Sequence, residues 1–255
     1  MKAKLLLALI VSLLFCGSVQ ANPTFMALSV SPGETFEFDV VTTQVVSGLF
    51  STTGSILVDW GDGNSNSYNG TDQVWSHDYG DAIGTRTVTI TNAGALTKYR
   101  MDAVGANVQF ALSDLPSGVV YFICYGSNTI SGSLSDLPSG VVYFICTGSN
   151  TVSGSLSDLP SGVTAFYCSG SNTVSDYTTK TWTTKPATFK VIPTGVGGLD
   201  ENEIDQLLID LDDDLEWVAG NSIELTGTNA APTAASSAAR SNILTEMGGS
   251  GLTTN

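Results

Sequence analysis

The stretch LSDLPSGVVYFICYGSNTISGS (112–133) is followed without interruption by LSDLPSGVVYFICTGSNTVSGS (134–155) and LSDLPSGVTAFYCSGSNTVSDY (156–177). A repeat with a period of 22 residues constrains folding severely. A unit this short cannot bury its own apolar face, so it must stack on a neighbour and the chain must wind as a solenoid. Within each unit the run YFIC, or its equivalent, reads as a strand, whose alternate side chains point to opposite faces. One face carries Phe122/Cys124, Phe144/Cys146 and Phe166/Cys168, the same in all three copies. The other carries Tyr121/Ile123/Tyr125, Tyr143/Ile145/Thr147 and Ala165/Tyr167/Ser169, which differ between copies. An invariant apolar face is what a stacked core requires, and each Phe buried there contributes roughly 1.5–3 kcal/mol. A variable aromatic face is what an exposed sheet can carry.

This places Cys124, Cys146 and Cys168 inward, about 4.8 Å apart along the stack. A disulfide needs a particular dihedral and Cβ approach, which in-register parallel neighbours rarely supply, and an odd count leaves one thiol unpaired. Zinc wants a convergent tetrahedron, whereas these cysteines form a line beside phenylalanines. They read as free, buried thiols acting as small apolar residues, with one bridged pair or a metal as the competing readings. The DLPSG turns set Pro116, Pro138 and Pro160 ahead of a glycine able to take positive φ.

The segment VVYFICYGSNTISGSLSDLP resembles a leucine-rich repeat, with apolar residues spaced as in L-x-x-L-x-L, then an Asn, a further apolar residue and L-x-x-L-P. It departs in one respect: the Asn lies four residues after the Cys rather than three, which lengthens the turn after the strand. The resemblance implies a parallel sheet with an outward recognition surface. It also implies a ladder of Asn128, Asn150 and Asn172, turned inward to bond backbone groups of adjacent loops. Degenerate units flank the clear ones, LTKYRMDAVGANVQFALSDLP (96–116) before and ATFKVIPTGVGGL (187–199) after, the latter with Phe189 and Val191 in the Phe and Cys places. Beyond them, DENEIDQLLIDL (200–211) predicts a helix capped by Asp200 with Glu203 completing a capping box. Ile204, Leu207, Leu208 and Leu211 form its apolar face. SIELTG (222–227) predicts a strand, 232–249 a second helix and GLTTN a last strand. This series resembles the terminal units of bacterial and phage leucine-rich-repeat proteins, and physically it is a cap over the last repeat. The acidic run DLDDDLE (210–216) reads as solvated.

The first part of the chain has another character. ETFEFDVV (34–41) alternates Phe36, Phe38 and Val40 with polar residues, GSILVDWGDGNSNSY (54–68) is a strand entering a turn, and GTRTVTIT (84–91) alternates with Val88 and Ile90 inward. VDWGDG (58–63), SHDY (76–79) and GTRTVTI (84–90) together resemble the PKD-type immunoglobulin-like domain of secreted and surface proteins. Trp60, Gly61, Asp62, Gly63, His77, Tyr79, Gly84 and Val88 carry the match, and Arg86 stands where that family usually has Tyr. Asp59, Asp62 and Asn64 offer oxygens that suit calcium, or that simply bond their own turn. His77 is the single histidine and reads as a structural residue.

The expected fold is thus mainly β with α at the C-terminus. A PKD-like β-sandwich (22–95) precedes leucine-rich repeats (96–199) and an α/β C-terminal cap (200–255). Residues 1–21 read as a signal peptide, with the cationic MKAK, an apolar core and a small-residue cleavage site before Asn22. No other segment reads as a membrane span, so the mature chain is expected to be secreted or at the cell surface. A formal charge of −15 argues against nucleic acid as a partner, whose affinity rests on Lys and Arg neutralising phosphates. No P-loop, Rossmann fingerprint, zinc-protease helix or paired-carboxylate motif is present in the sequence, and no enzyme or cofactor other than calcium is expected. The expected function is adhesion or binding of an extracellular protein or carbohydrate, through an exposed strip of Tyr99, Tyr121, Ile123, Tyr125, Tyr143, Ile145 and Tyr167. Two alternatives are a self-associating structural protein of the envelope or extracellular matrix, and a secreted hydrolase.

Overall fold

Each repeat contributes two strands and a tight turn to a coil, in a computed structural model that describes residues 33–42, 45–80, 84–102, 106–126 and 128–255. The expected signal peptide lies outside the described residues. The strands are β1 (Thr35–Thr42), β2 (Val45–Thr52), β3 (Ile56–Asp59), β4 (Ser65–Tyr68), β5 (Gln73–Asp78), β6 (Gly84–Thr91), β7 (Leu96–Asp102) and β8 (Ala106–Ala111). The clear repeats then give β9 (Tyr121–Tyr125) and β10 (Thr129–Ser133), β11 (Tyr143–Cys146) and β12 (Thr151–Ser155), and β13 (Ala165–Gly170) and β14 (Thr173–Asp176). After β15 (Thr188–Pro193) come helix α1 (Glu201–Asp214), β16 (Ser222–Leu225), helix α2 (Ser237–Glu246) and β17 (Leu252–Thr254). Among the described residues no helix is long and apolar enough to cross a membrane.

The strands form two sheets. Sheet A runs β14-β12-β10-β8-β1-β6-β3-β4, and sheet B runs β17-β16-β15-β13-β11-β9-β7-β2-β5. Within the coils neighbours are parallel and in register, Phe122 beside Phe144 beside Phe166 beside Phe189. Their rings stack at 5.3, 5.5 and 5.6 Å. Val119, Val141 and Val163, the Leu112 series and the Ile130/Val152/Val174 series complete the lining of each coil, nearly all without solvent exposure.

The expected boundary at residue 95 falls inside continuous sheets. Strand β7 pairs parallel with β9 on one side and antiparallel with β2 on the other, and β8 does the same between β10 and β1. The first coil therefore also supplies a strand to each sheet of the N-terminal part, and residues Glu34–Asn255 form one unit around one core. Glu34 bonds across this junction, its carboxylate accepting from the Ser117 backbone N–H (2.9 Å) and hydroxyl (2.7 Å).

The corners between the two strands of a coil, β11 to β12 and β13 to β14, explain the longer turn. Gly148 has φ of +107°, and a Cβ there would lie 1.9 Å from the Gly126 carbonyl oxygen of the coil before. Gly170 stands in the same relation to Gly148, at 2.0 Å. The glycines of the DLPSG turns, by contrast, do not take the positive φ expected of them. Pro116 accepts from Val119 N–H at 3.0 Å in an ordinary tight turn, and Gly118 is required because a Cβ would meet the Gly94 carbonyl at 2.2 Å.

At the C-terminal end sheet A stops at β14, while sheet B continues through β15, β16 and β17, all parallel. The helices follow these last sheet B strands in place of further sheet A strands. Helix α1 begins as its sequence predicts. Asp200 accepts from Asn202 and Glu203 N–H groups at 2.8 and 2.9 Å, and Glu203 accepts from Asp200 N–H at 2.7 Å. Ile204, Leu207, Leu208 and Leu211 are fully buried. The helix runs on to Asp214, so part of the acidic run expected to be solvated lies inside it. Asp210 is buried and accepts from Tyr177 Oη (2.7 Å) and Lys180 N–H (3.0 Å), and Asp214 accepts from Trp182 N–H (2.7 Å). These carboxylates satisfy backbone and side-chain donors of the segment that follows β14. Helix α2 is shorter than expected, and Asp205 of α1 accepts from Thr233 N–H (2.9 Å) and the Ser236 hydroxyl (2.5 Å) at its approach.

Candidate binding face

The inward residues fix what remains outside. Cys124, Cys146 and Cys168 are free and buried, in register with Met101 below and Val191 above. Burial pushes the Cys124 thiol up to about 12 and raises Cys146 and Cys168 as well, because a thiolate there would lose its hydration. Such thiols are poor nucleophiles and poor metal ligands.

Asn128, Asn150 and Asn172 are buried, and each spans two sheets and two coils. The Asn150 Oδ1 accepts from Ile130 N–H of sheet A (2.8 Å), while its Nδ2 donates to the Thr147 carbonyl after sheet B (2.9 Å). Asn128 and Asn172 repeat this with Val108 and Tyr125, and with Val152 and Ser169. Sequence reading missed a further rung. Asn229 accepts from Leu199 N–H and donates to the Thr226 carbonyl, and the signal was LTGTN (225–229) at the end of β16, an ungapped counterpart of CTGSN.

The outward residues of sheet B form three rows across the strands. One runs Lys98–Tyr121–Tyr143–Ala165–Thr188, and the next Arg100–Ile123–Ile145–Tyr167–Lys190–Glu224. The third begins Asp102–Tyr125. Tyr121 and Tyr143 lie with ring centroids 5.8 Å apart and planes 31° apart. Tyr121 and Tyr125 are 40 % and 38 % exposed, while Ile145, between Ile123 and Tyr167, is only 7 % exposed. Burial raises the Tyr125 phenol above its ordinary value, with smaller contributions from Tyr143, Asp102 and Tyr167 and with Arg100 opposing the rise.

Tyr99 does not belong to this strip. It is fully buried and pairs with Phe122, not Tyr121, stacking on that ring at 6.2 Å. The entering coil is one residue longer than the 22-residue period, and a slip of one residue carries a strand's side chains to the other face. Its hydroxyl is buried without a hydrogen-bond partner.

The same register brings in cations that sequence reading left out. Lys98 sits 5.4 Å over the Tyr121 ring and Lys190 5.6 Å over Tyr167. Each cation also has a carboxylate: Lys98–Asp72 at 2.6 Å, Arg100–Asp102 at 2.8 Å and Lys190–Glu224 at 2.9 Å. The Lys98 ammonium is the main cause holding Asp72 below the usual carboxylate value. These residues were findable only by aligning the degenerate flanking coils with the clear ones.

The calcium candidates are engaged in their own turn. Asp59 accepts from Gly61 N–H (2.9 Å), and Asp62 accepts from Asn64 N–H (2.9 Å) and Asn64 Nδ2 (3.1 Å). The other partner of Asp62 is His77 Nε2 at 2.8 Å, with the imidazole stacked on Trp60 at 4.7 Å and met edge-on by Tyr79 at 4.5 Å. Tyr79 donates to the Trp60 carbonyl at 3.0 Å, and Trp60 Nε1 to Asn66 at 2.7 Å. Partial burial opposes ionisation of Asp62, yet these hydrogen bonds outweigh it and lower its pKa. Among the described residues no group of three or more His, Cys, Asp and Glu gathers as a metal site would require.

Comparison with family models, with curated proteins and with solved structures gave no match to this chain.

Proposed function

We propose that the chain is an exported, non-enzymatic binding or adhesion protein whose recognition surface is the outward face of sheet B. The observation that carries this reading is the strip of Tyr121, Tyr125, Tyr143 and Tyr167, with Ile123 and Ile145, set on a rigid sheet and left uncovered at its edges. Tyrosines combine a large apolar surface with a polar tip and lose little conformational freedom on binding. A sheet locked beneath by stacked phenylalanines presents them already ordered, which lowers the entropic cost of association.

The PKD-like reading of the N-terminal part draws support from the way Trp60, Asp62, His77 and Tyr79 of its motif pack as one cluster. The leucine-rich-repeat reading draws support from the strand-then-Asn order and the inward Asn ladder. It is qualified by the second strand that follows each Asn, which gives a two-sheet coil. Of the polar groups that a hydrolase reading would draw on, Asp59 and Asp62 are bonded within the turn after β3, and His77 of β5 is bonded to Asp62.

The test is an array of glycans and extracellular proteins probed with the purified chain and with the variant Tyr121→Ser/Tyr143→Ser/Tyr167→Ser. The expected result is a ligand whose binding the variant loses by at least tenfold. Equal binding by the two proteins would sink the reading.

A further inference from the structure

We infer that the ligand of this face is an uncharged polysaccharide, laid across the strands on Tyr121, Tyr143 and Tyr167. The inference deepens the binding reading above and rests on it. Three observations select this class of partner.

The first is charge. The chain carries −15 overall, yet the three cations on this face are each matched by a carboxylate. The face is locally neutral on a strongly acidic molecule. A polyanion would be repelled by the whole-molecule field, and a second copy would bring −15 against −15. A polycation would find better sites on the acidic surface elsewhere. A neutral ligand meets none of these forces.

The second is area. The aromatic and aliphatic patch spans β9, β11 and β13, with Lys98 and Arg100 at one side and Lys190 at the other. Three strands of about five residues give a patch on the order of 200–250 Å². A specific protein interface needs about 800 Å² on each partner, with charged groups depleted from its centre. The patch is too small for that and large enough for a short run of sugar rings.

The third is chemistry. Tyr121 and Tyr143 lie 5.8 Å apart in one row, and Tyr167 stands one strand further on in the next row, so the platforms step diagonally across β9, β11 and β13. Pyranose rings carry C–H groups that pack on the apolar ring surface left exposed beside Lys98 and Lys190, which lie over Tyr121 and Tyr167. The flanking pairs Arg100–Asp102 and Lys190–Glu224 supply donors and acceptors side by side, as sugar hydroxyls require.

The experiment is co-sedimentation of the full chain with insoluble cellulose, chitin, β-1,3-glucan and starch, at low and high salt, with heparin–agarose as an anionic comparison. The expected result is retention on at least one neutral polymer, unchanged by salt, and none on heparin. The Tyr→Ser triple variant should lose at least tenfold in affinity. Tyr121→Phe/Tyr143→Phe/Tyr167→Phe, which keeps the rings, should stay within a few fold, and far-ultraviolet circular dichroism checks that both variants are folded. Retention on none of the polymers, together with a protein on the array whose binding the triple variant loses, would overturn this inference and leave the binding face standing. No retention and no array ligand would overturn both. Retention on heparin lost at high salt would overturn the neutral-ligand assignment.

Discussion

The two sheets share the same coils, and on those coils their outer faces differ in chemistry, although sheet A also exposes Val41 and Leu57 on its N-terminal strands. Sheet B shows tyrosine, isoleucine and matched ion pairs. Sheet A shows hydroxyls: Thr129 and Ser131, Thr151 and Ser153, and Thr173 on the coils, with Thr85, Thr87 and Thr91 on the N-terminal part. The difference also runs through the repeats. On sheet B the outward residues change from copy to copy, while T-x-S on sheet A is the same in all three. A hydroxyl face binds water well and makes few demands on a partner. An aromatic face exposed to water has to be maintained against the tendency of such residues to be buried. The asymmetry is therefore the strongest physical pointer to which side meets a ligand.

The comparison depends on the coils holding both sheets in fixed register, and the largest expected effect attacks that. Gly148→Ala puts a Cβ into the Gly126 carbonyl at a φ of +107°. Destabilisation of roughly 3 kcal/mol or more is expected, measured as a fall in the urea midpoint. A change below about 0.5 kcal/mol would mean that the corner does not hold the stack together.

The second effect separates the backs of the sheets. Cysteines line only sheet B, and sheet A is backed at the equivalent level by Ile130, Val152 and Val174. The Cys124 pKa is raised in the fold to about 12, so its contribution is fully present below the unfolded value and is lost as pH rises toward the folded one. Between pH 8.5 and 10 each buried thiol should cost roughly 1–1.5 kcal/mol of stability. Urea midpoints measured across that window should fall steadily, and a flat profile would contradict burial of the thiols. The acid side has the opposite sign. Asp62 and Asp205 are held below their ordinary values, by hydrogen bonds that outweigh the opposing effect of burial. Their contribution is therefore present above the unfolded carboxylate pKa and is lost as pH falls through the folded one.

A smaller effect tests the link between sheets. Asn150→Ala removes an acceptor from Ile130 N–H of sheet A and a donor to Thr147 after sheet B. A loss of about 1–3 kcal/mol is expected from the buried groups left unpaired. Faster amide exchange at Ile130 should accompany it, and unchanged exchange there would contradict the bridge.

How much of this was legible in the sequence follows from which residues carry strong patterns. The inward Phe–Cys pairs and the face of helix α1 were readable because apolar periodicity and capping residues signal them directly, whereas the Asn ladder was expected only from the resemblance to leucine-rich repeats. The coil strands of sheet A, β10, β12 and β14, were not readable, because TISGS is short, rich in Ser and Gly, and low in the residues that favour strands. Missing them hid the second sheet, and with it the fusion of the coils to the N-terminal part. Tyr99 was misplaced because the 22-residue period was carried into a coil that is one residue longer, and one residue is enough to reverse a face. The same slip hid Lys98 and Arg100, which belong to the outward face of sheet B only in the register that the stack imposes.

The most direct measurement sets the two faces against each other. Tyr121→Ser/Tyr143→Ser/Tyr167→Ser on sheet B and Ser131→Ala/Thr151→Ala/Ser153→Ala on sheet A are compared with the parent chain on the same ligand array. The result expected is loss of at least tenfold in binding for the first variant and binding within twofold of the parent for the second. Loss confined to the sheet A variant, or equal binding by all three proteins, would contradict the assignment of recognition to the aromatic face.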